Sequence, residues 1–257
     1  MKVSSFCLLS ATLAVASAAV LPRQQLANVY TSCAVEGSVA LTFDDGPYIW
    51  NKEIVDTLND AGAKGTFFVN GYNYACIYDD DSITRLQYAL ASGHQVASHT
   101  WNHGHLPTYT QDQLQTQFSL TNDALLKTCG ILPAFFRPPY GEYSDLVREV
   151  AAQYGLGLVN WDTDSGDSVG ATVEQSEGVY TDLANRHPST ILVLNHETYQ
   201  TTAEQVLPFA LDALKKAGYT NFVTVAECLG MEPYQQKTQP GSRDDTWTCA
   251  GTPAPGS

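Results

Sequence analysis

Val39-Ala40-Leu41-Thr42-Phe43-Asp44-Asp45-Gly46-Pro47 is the stretch on which the reading of the fold turns. Its first five residues form a short β-branched and aromatic run that predicts a buried strand, and the run stops on two carboxylates and a Gly-Pro turn. Comparable runs recur at residues 65–70, 95–98, 134–137, 156–161, 190–195 and 222–225. Between them, amphipathic helical periodicity is clearest over 51–61, 111–128, 144–154 and 203–217. Strands alternating with helices predict an α/β fold with a mostly parallel sheet. A closed or nearly closed (β/α) barrel suits this length best, with a doubly wound open sheet as the alternative. Neither Gly-rich phosphate-binding fingerprint occurs, so nucleotide chemistry loses its usual warrant.

Composition narrows the function classes further. The 257 residues carry 27 Asp plus Glu against 13 Lys plus Arg, a net charge of −14, which argues against a nucleic-acid partner. With 44% hydrophobic and only 16% charged residues, the chain has material for a packed core. Residues 1–18 read as a secretory signal peptide: Lys2, an apolar stretch over 6–15, then Ala16-Ser17-Ala18. That stretch is too short and too interrupted for a membrane anchor. Residues 19–37 are expected to be an N-terminal segment, 38–230 the catalytic domain and 231–257 an irregular tail. Trp247 and Cys249 would pin part of the tail, with the last seven residues mobile. Without Cys7, five cysteines remain in an oxidising compartment, giving two disulfides and one odd thiol. Cys33 and Cys228 flank the first and last predicted strands and are the preferred pair.

In an α/β barrel the active site lies at the C-terminal ends of the strands, so the polar residues that follow each run are the informative ones. Asp44-Asp45 repel one another and call for a compensating cation, although Asp-Gly-Pro alone is also ordinary turn chemistry. His99 and His103 are four apart, a spacing that places two imidazoles on one face of a helical turn, as metal-ligating pairs are placed; such a pair is also often merely structural. Together, Asp45, His99 and His103 offer one carboxylate and two imidazoles, with a fourth position left for water, as in a catalytic zinc site. His196 ends another strand and could equally be a buried, hydrogen-bonded histidine. Arg137 precedes Pro138-Pro139, which stiffen its backbone.

Five ordered motifs carry a family resemblance: Thr42-Phe43-Asp44-Asp45-Gly46-Pro47, His99-x-x-x-His103, Arg137-Pro138-Pro139-Tyr140-Gly141, Asp164-x-x-Asp167 and Leu192-Val193-Leu194-Asn195-His196. They resemble the polysaccharide deacetylases, carbohydrate esterase family 4, over residues 38–229. The cysteine-containing context and Asn73-Tyr74-Ala75-Cys76-Ile77-Tyr78 are most similar to the fungal chitin deacetylases. The resemblance implies a distorted, incomplete (β/α) TIM-like barrel, the NodB-like deacetylase fold. It further implies a divalent metal, most often zinc with cobalt as an alternative, on Asp45, His99 and His103. Asp44 would be the general base, His196 the general acid, Arg137 the residue holding Asp44, Asp167 the residue orienting His196, and the Tyr140 backbone N–H an oxyanion donor. Trp161, Tyr140 and Leu194 would contact substrate.

Two departures concern substrate preference. Ser168 follows Asp167 where the family pattern has Trp, and Glu197 follows His196 where Asp is commoner. The expected activity is removal of N-acetyl groups from N-acetylglucosamine units of chitin or chitooligosaccharides by a secreted, extracellular or cell-wall, monomeric enzyme. An O-acetyl xylan esterase and a peptidoglycan deacetylase are same-class rivals. A non-catalytic carbohydrate-binding protein would have lost motif residues, and a structural wall protein would show repeats or a Ser/Thr stalk; the sequence shows neither.

Overall fold

A computed structural model describes residues 25–256 of the chain. The expected signal peptide lies outside the described residues. Strand β1 is Val29–Tyr30, so the segment before residue 38 already joins the sheet. Strand β2, Ser38–Gly46, is buried along its whole length, because parallel neighbours β3 (Gly65–Val69) and β9 (Ile191–His196) flank it and helices cover the faces. Burial on both faces explains why the run at 39–43 is continuously apolar rather than alternating. The remaining strands are β4 (Gln95–Ser98), β5 (Ile131–Pro133), β6 (Phe135–Phe136), β7 (Gly157–Val159), β8 (Thr163–Asp164), β10 (Asn221–Phe222) and β11 (Tyr234–Lys237).

The main sheet runs in the order β1-β7-β6-β4-β3-β2-β9-β8, with β10 on β2, and every pairing in it is parallel. Its ends, β1 and β8, do not pair, so the barrel is incomplete, as expected. Several strands are only two or three residues long, and the predicted runs at 134–137 and 156–161 contract accordingly. The run at 222–225 splits: Phe222 ends β10, and Thr224 caps helix Val225–Leu229 through its hydroxyl and the Glu227 side chain.

The helices are α1 (Asn51–Asp60), α2 (Asp80–Ala91), α3 (Gln111–Cys129), α4 (Asp145–Gln153), α5 (Val173–Arg186), α6 (Leu207–Lys216) and α7 (Val225–Leu229), with a π-helical turn, Thr202–Val206, leading into α6. Helices α2 and α5 were not among the predicted elements. Each buries a narrow stripe that includes polar positions: Ser82, Leu86 and Ala89 on α2, and Ser176, Tyr180 and Leu183 on α5. The Thr172/Gln175 capping box was the available signal for α5. None of the described helices is long and apolar enough to cross a membrane.

Disulfides join Cys33 to Cys228 and Cys76 to Cys249, and Cys129 is a buried free thiol that burial pushes up to about 11. The first bridge closes a loop of 195 residues, tying the segment before β2 to α7. Replacing Cys33 and Cys228 by serine is expected to cost about 2–5 kcal/mol of folding stability, read as a lower denaturant midpoint. Unchanged stability would show that the bridge constrains nothing the second one does not.

The expected irregular tail is more ordered than its composition suggests. Strand β11 pairs antiparallel with β5, Trp247 is buried, and Gly256 N–H donates to the Asn102 carbonyl at 2.6 Å. The last described residues, which composition led one to expect mobile, are placed against the body by this hydrogen bond.

Candidate active site

Asp44 and Asp45 sit at the C-terminal end of β2, where the register with β3 shifts. Asp45 is held at φ 72°, in the left-handed region, and both carboxylates approach His99 Nε2, Asp44 Oδ2 at 3.7 Å and Asp45 Oδ1 at 3.5 Å. His99 follows β4 directly. The expectation that His99 and His103 share a helical turn is wrong: the segment is an irregular loop in which Thr100 and His103 take φ 69° and 56°. The loop nonetheless brings the two rings to 5.0 Å between centroids.

Nε2 of His99 and Nε2 of His103 lie 3.5 and 3.2 Å from Asp45 Oδ1. One ligand atom from each of Asp45, His99 and His103 falls within 4.8 Å of the other two. The Arg137 carbonyl, 2.8 Å from His99 Nδ1, can only accept, so Nδ1 carries the hydrogen and Nε2 presents its lone pair. Burial lowers the His99 pKa well below the ordinary value and that of His103 to about 4, leaving both rings neutral. Asp45 Oδ1 is buried yet accepts no hydrogen bond from the described residues. Two neutral imidazole nitrogens around an orphaned carboxylate oxygen fit a divalent metal ion.

Beside this cluster, Arg137 is fully buried and fully engaged. Its NH1 donates to Thr42 Oγ1 at 2.6 Å and to Asp44 Oδ1 at 2.9 Å, and its remaining nitrogens donate to the carbonyls of Val159 and Asn160. The guanidinium also lies 4.2 Å over the Phe68 ring. Burial raises Asp44 to about 6 against the opposing pull of Arg137, bringing its proton exchange close to neutrality.

His196 is the register partner of Asp44 on the adjacent strand β9. Its Nδ1–H donates to Asp167 Oδ1 at 2.7 Å and its backbone N–H to Asp167 Oδ2 at 2.8 Å, while the Thr202 hydroxyl donates to Oδ2 as well. Burial alone would lower this imidazole, but the Asp167 hydrogen bond and charge, with Asp44 and Asp45, raise it to about 9. The folded value exceeds the ordinary 6.5, so the stability this pair contributes is full below about pH 6.5 and is lost as pH rises through about 9. In metal-free protein the His196 ring resonances should titrate near 9 and move to lower pH in Asp167→Asn. Titration at an ordinary histidine value in both proteins would contradict the pairing.

Asp44, Asp45, His99, His103 and His196 line a cleft of about 690 Å³, within the range of ligand-binding pockets, with Arg137 and Asp167 behind them. Trp161, Tyr140 and Leu194, the residues the resemblance assigns to substrate, are among its lining. Tyr140 adopts φ 59° and stacks on His105 at 4.2 Å, and Trp161 lies 2.8 Å from where a Cβ on Gly141 would stand. Ser168 and the exposed Val169 occupy the wall where the family pattern has an aromatic ring. Asn73 and Tyr74, from the segment that resembles the fungal chitin deacetylases, also line the cleft, as do Tyr199, Pro255 and Gly256, which no sequence motif marks. Glu197 does not reach the cleft. It is fully buried and accepts from the Tyr48 N–H and Asn51 Nδ2 at 2.6 and 2.9 Å, bracing the loop after β2 where the absence of a Gly46 side chain leaves it room.

The fold is shared with solved deacetylases. The chitin deacetylase of Colletotrichum lindemuthianum superposes with a TM-score of 0.77 at 28% identity, covering 83% of this chain and 96% of that one. The chain belongs to the polysaccharide deacetylase family, whose model matches residues 31–159. It is 34% identical over 211 residues to a chitin deacetylase of a Pestalotiopsis species, covering 79% of this chain and 67% of that protein. It is 37% identical over 207 residues to a probable peptidoglycan-N-acetylglucosamine deacetylase of Arthroderma benhamiae, covering 79% of this chain and 46% of that protein. The chain thus spans about half the length of several curated relatives it matches.

Proposed function

We propose that the protein is a secreted, metal-dependent deacetylase that hydrolyses the N-acetyl amide of N-acetylglucosamine units in chitin or chitooligosaccharides, releasing acetate. The observation that carries this reading is the convergence in one cleft of the Asp45/His99/His103 cluster, the Arg137-held Asp44 and the Asp167-held His196. Asp45, His99 and His103 would hold the ion, zinc or cobalt, which when bound supplies Lewis-acid polarisation of the acyl oxygen and a more acidic water. Asp44 takes the proton of the attacking water, its position fixed by Arg137. His196, protonated and steered by Asp167, delivers a proton to the departing amine, which leaves poorly without one. The Tyr140 N–H is assigned to the developing oxyanion, and Trp161, Tyr140 and Leu194 to the sugar.

Two disulfides support an oxidising, extracellular or cell-wall location, and monomeric action is part of the reading. The relatives named chitin deacetylase favour chitin. The relative from Arthroderma benhamiae favours a second reading, peptidoglycan, whose sugar also carries the N-acetyl group. Acetate release from N-acetylglucosamine oligomers, peptidoglycan and acetylated xylan, compared at equal acetyl concentration, tests the choice. Faster release from the oligomers is expected, and preference for xylan would refute the amide assignment.

A further inference from the structure

The loop carrying His99 and His103 is strained, because two of its five residues, Thr100 and His103, sit in the left-handed region without being glycine. Such a backbone persists only where its surroundings over-determine it. From the body of the domain, Gln117 Oε1 accepts from the N–H groups of Trp101 and Asn102 at 3.0 and 3.2 Å, and Tyr72 N–H donates to the Trp101 carbonyl at 2.6 Å. The other side is held by residues beyond Cys249. Trp101 Nε1–H donates to Thr252 Oγ1 at 3.0 Å, Asn102 Nδ2 donates to the Ala254 carbonyl at 2.8 Å, and Gly256 N–H donates to the Asn102 carbonyl at 2.6 Å.

This segment is itself fastened. Cys249 is bridged to Cys76, four residues after the Tyr72 that grips the same loop, and the Thr252 hydroxyl donates back to the Cys249 carbonyl at 2.7 Å. Pro255 and Gly256 then reach the cleft in which His103 lies.

We propose that residues 249–256 form a strap that positions the metal-ligand loop, clamping Trp101 and Asn102 between His99 and His103, and that completes the wall of the cleft. Thr252, Ala254 and Gly256 are positioning residues: they touch the backbone and side chains between the ligands, not the ligands themselves. The function of the strap in metal retention rests on the metal site proposed above, whereas its hold on the loop does not. Groups that hydrogen-bond a metal ligand directly typically contribute ten- to a hundredfold in metal affinity, and the strap, which acts through Trp101 and Asn102, is expected at the lower end.

The test compares the full chain, a chain ending at Ala250, which keeps the Cys76–Cys249 bridge, and Thr252→Val. Hydrogen exchange of peptides spanning residues 99–104 is followed in metal-free protein, and zinc affinity is measured by competition with a chromogenic chelator. The shortened chain should exchange faster over 99–104 and bind zinc about tenfold more weakly, with Thr252→Val changed in the same direction by less. Unchanged exchange in both variants would overturn the proposal, and if the shortened chain fails to fold, Thr252→Val decides it alone. A full chain that binds no zinc would refute the metal reading, while the exchange data would still decide whether the strap holds the loop.

Discussion

Asp44→Asn is expected to retain zinc near the parental level while turnover falls by at least about 10²; Asp45→Asn is expected to lose both. The two aspartates are neighbours in sequence but not in environment. Asp44 has its Oδ1 committed to Arg137 at 2.9 Å and its Oδ2 3.7 Å from His99 Nε2, so its charge is already balanced by a buried guanidinium. Among the described residues no hydrogen-bond donor reaches Asp45 Oδ1, which faces both imidazoles, so a bound cation would supply its compensation. Converting Asp45 to an amide removes the one anionic ligand of the cluster, and a neutral oxygen is a poorer donor. Metal analysis beside turnover numbers separates the roles. Equal zinc loss in both variants would mean that the carboxylates act jointly and that the base lies elsewhere.

The second large effect concerns His196→Ala, which should cut turnover on an N-acetyl substrate by about 10² to 10⁴, the usual contribution of a positioned proton donor. The loss should be much smaller on an activated acetyl ester, whose leaving group departs as an anion. The discrimination follows from geometry: Asp167 holds Nδ1 with a 2.7 Å hydrogen bond, which fixes the tautomer and leaves Nε2 as the delivering atom. Equal losses on amide and ester would assign His196 a structural part.

Much of this site could be read from the sequence because its residues follow apolar runs. Asp44, His99, Arg137 and His196 each stand at or just beyond a strand end, and the parallel fold gathers those ends at one mouth. The His99–His103 spacing pointed to two rings that the fold does bring together, but a loop with two left-handed residues does so rather than the expected helical turn. The helices α2 and α5 escaped because their buried faces include serines, which blur the apolar period. Glu197 stands next to a motif residue, and as a departure from the family pattern it put substrate preference in doubt; its carboxylate lies instead in the turn after β2, accepting from Tyr48 and Asn51. The docking of residues 252–256 was hidden for a different reason. Two of the hydrogen bonds that hold it use backbone groups of Ala254 and Gly256, and a backbone carbonyl or N–H leaves no mark in composition.

The most direct test of the account is the mass of an N-acetylglucosamine pentamer after incubation with the protein as prepared, after chelation, and after readdition of zinc. Products lighter by whole acetyl groups are expected in the first sample, intact pentamer in the second and restored deacetylation in the third. Full deacetylation by the chelated protein, or none by the zinc-loaded one, would contradict it.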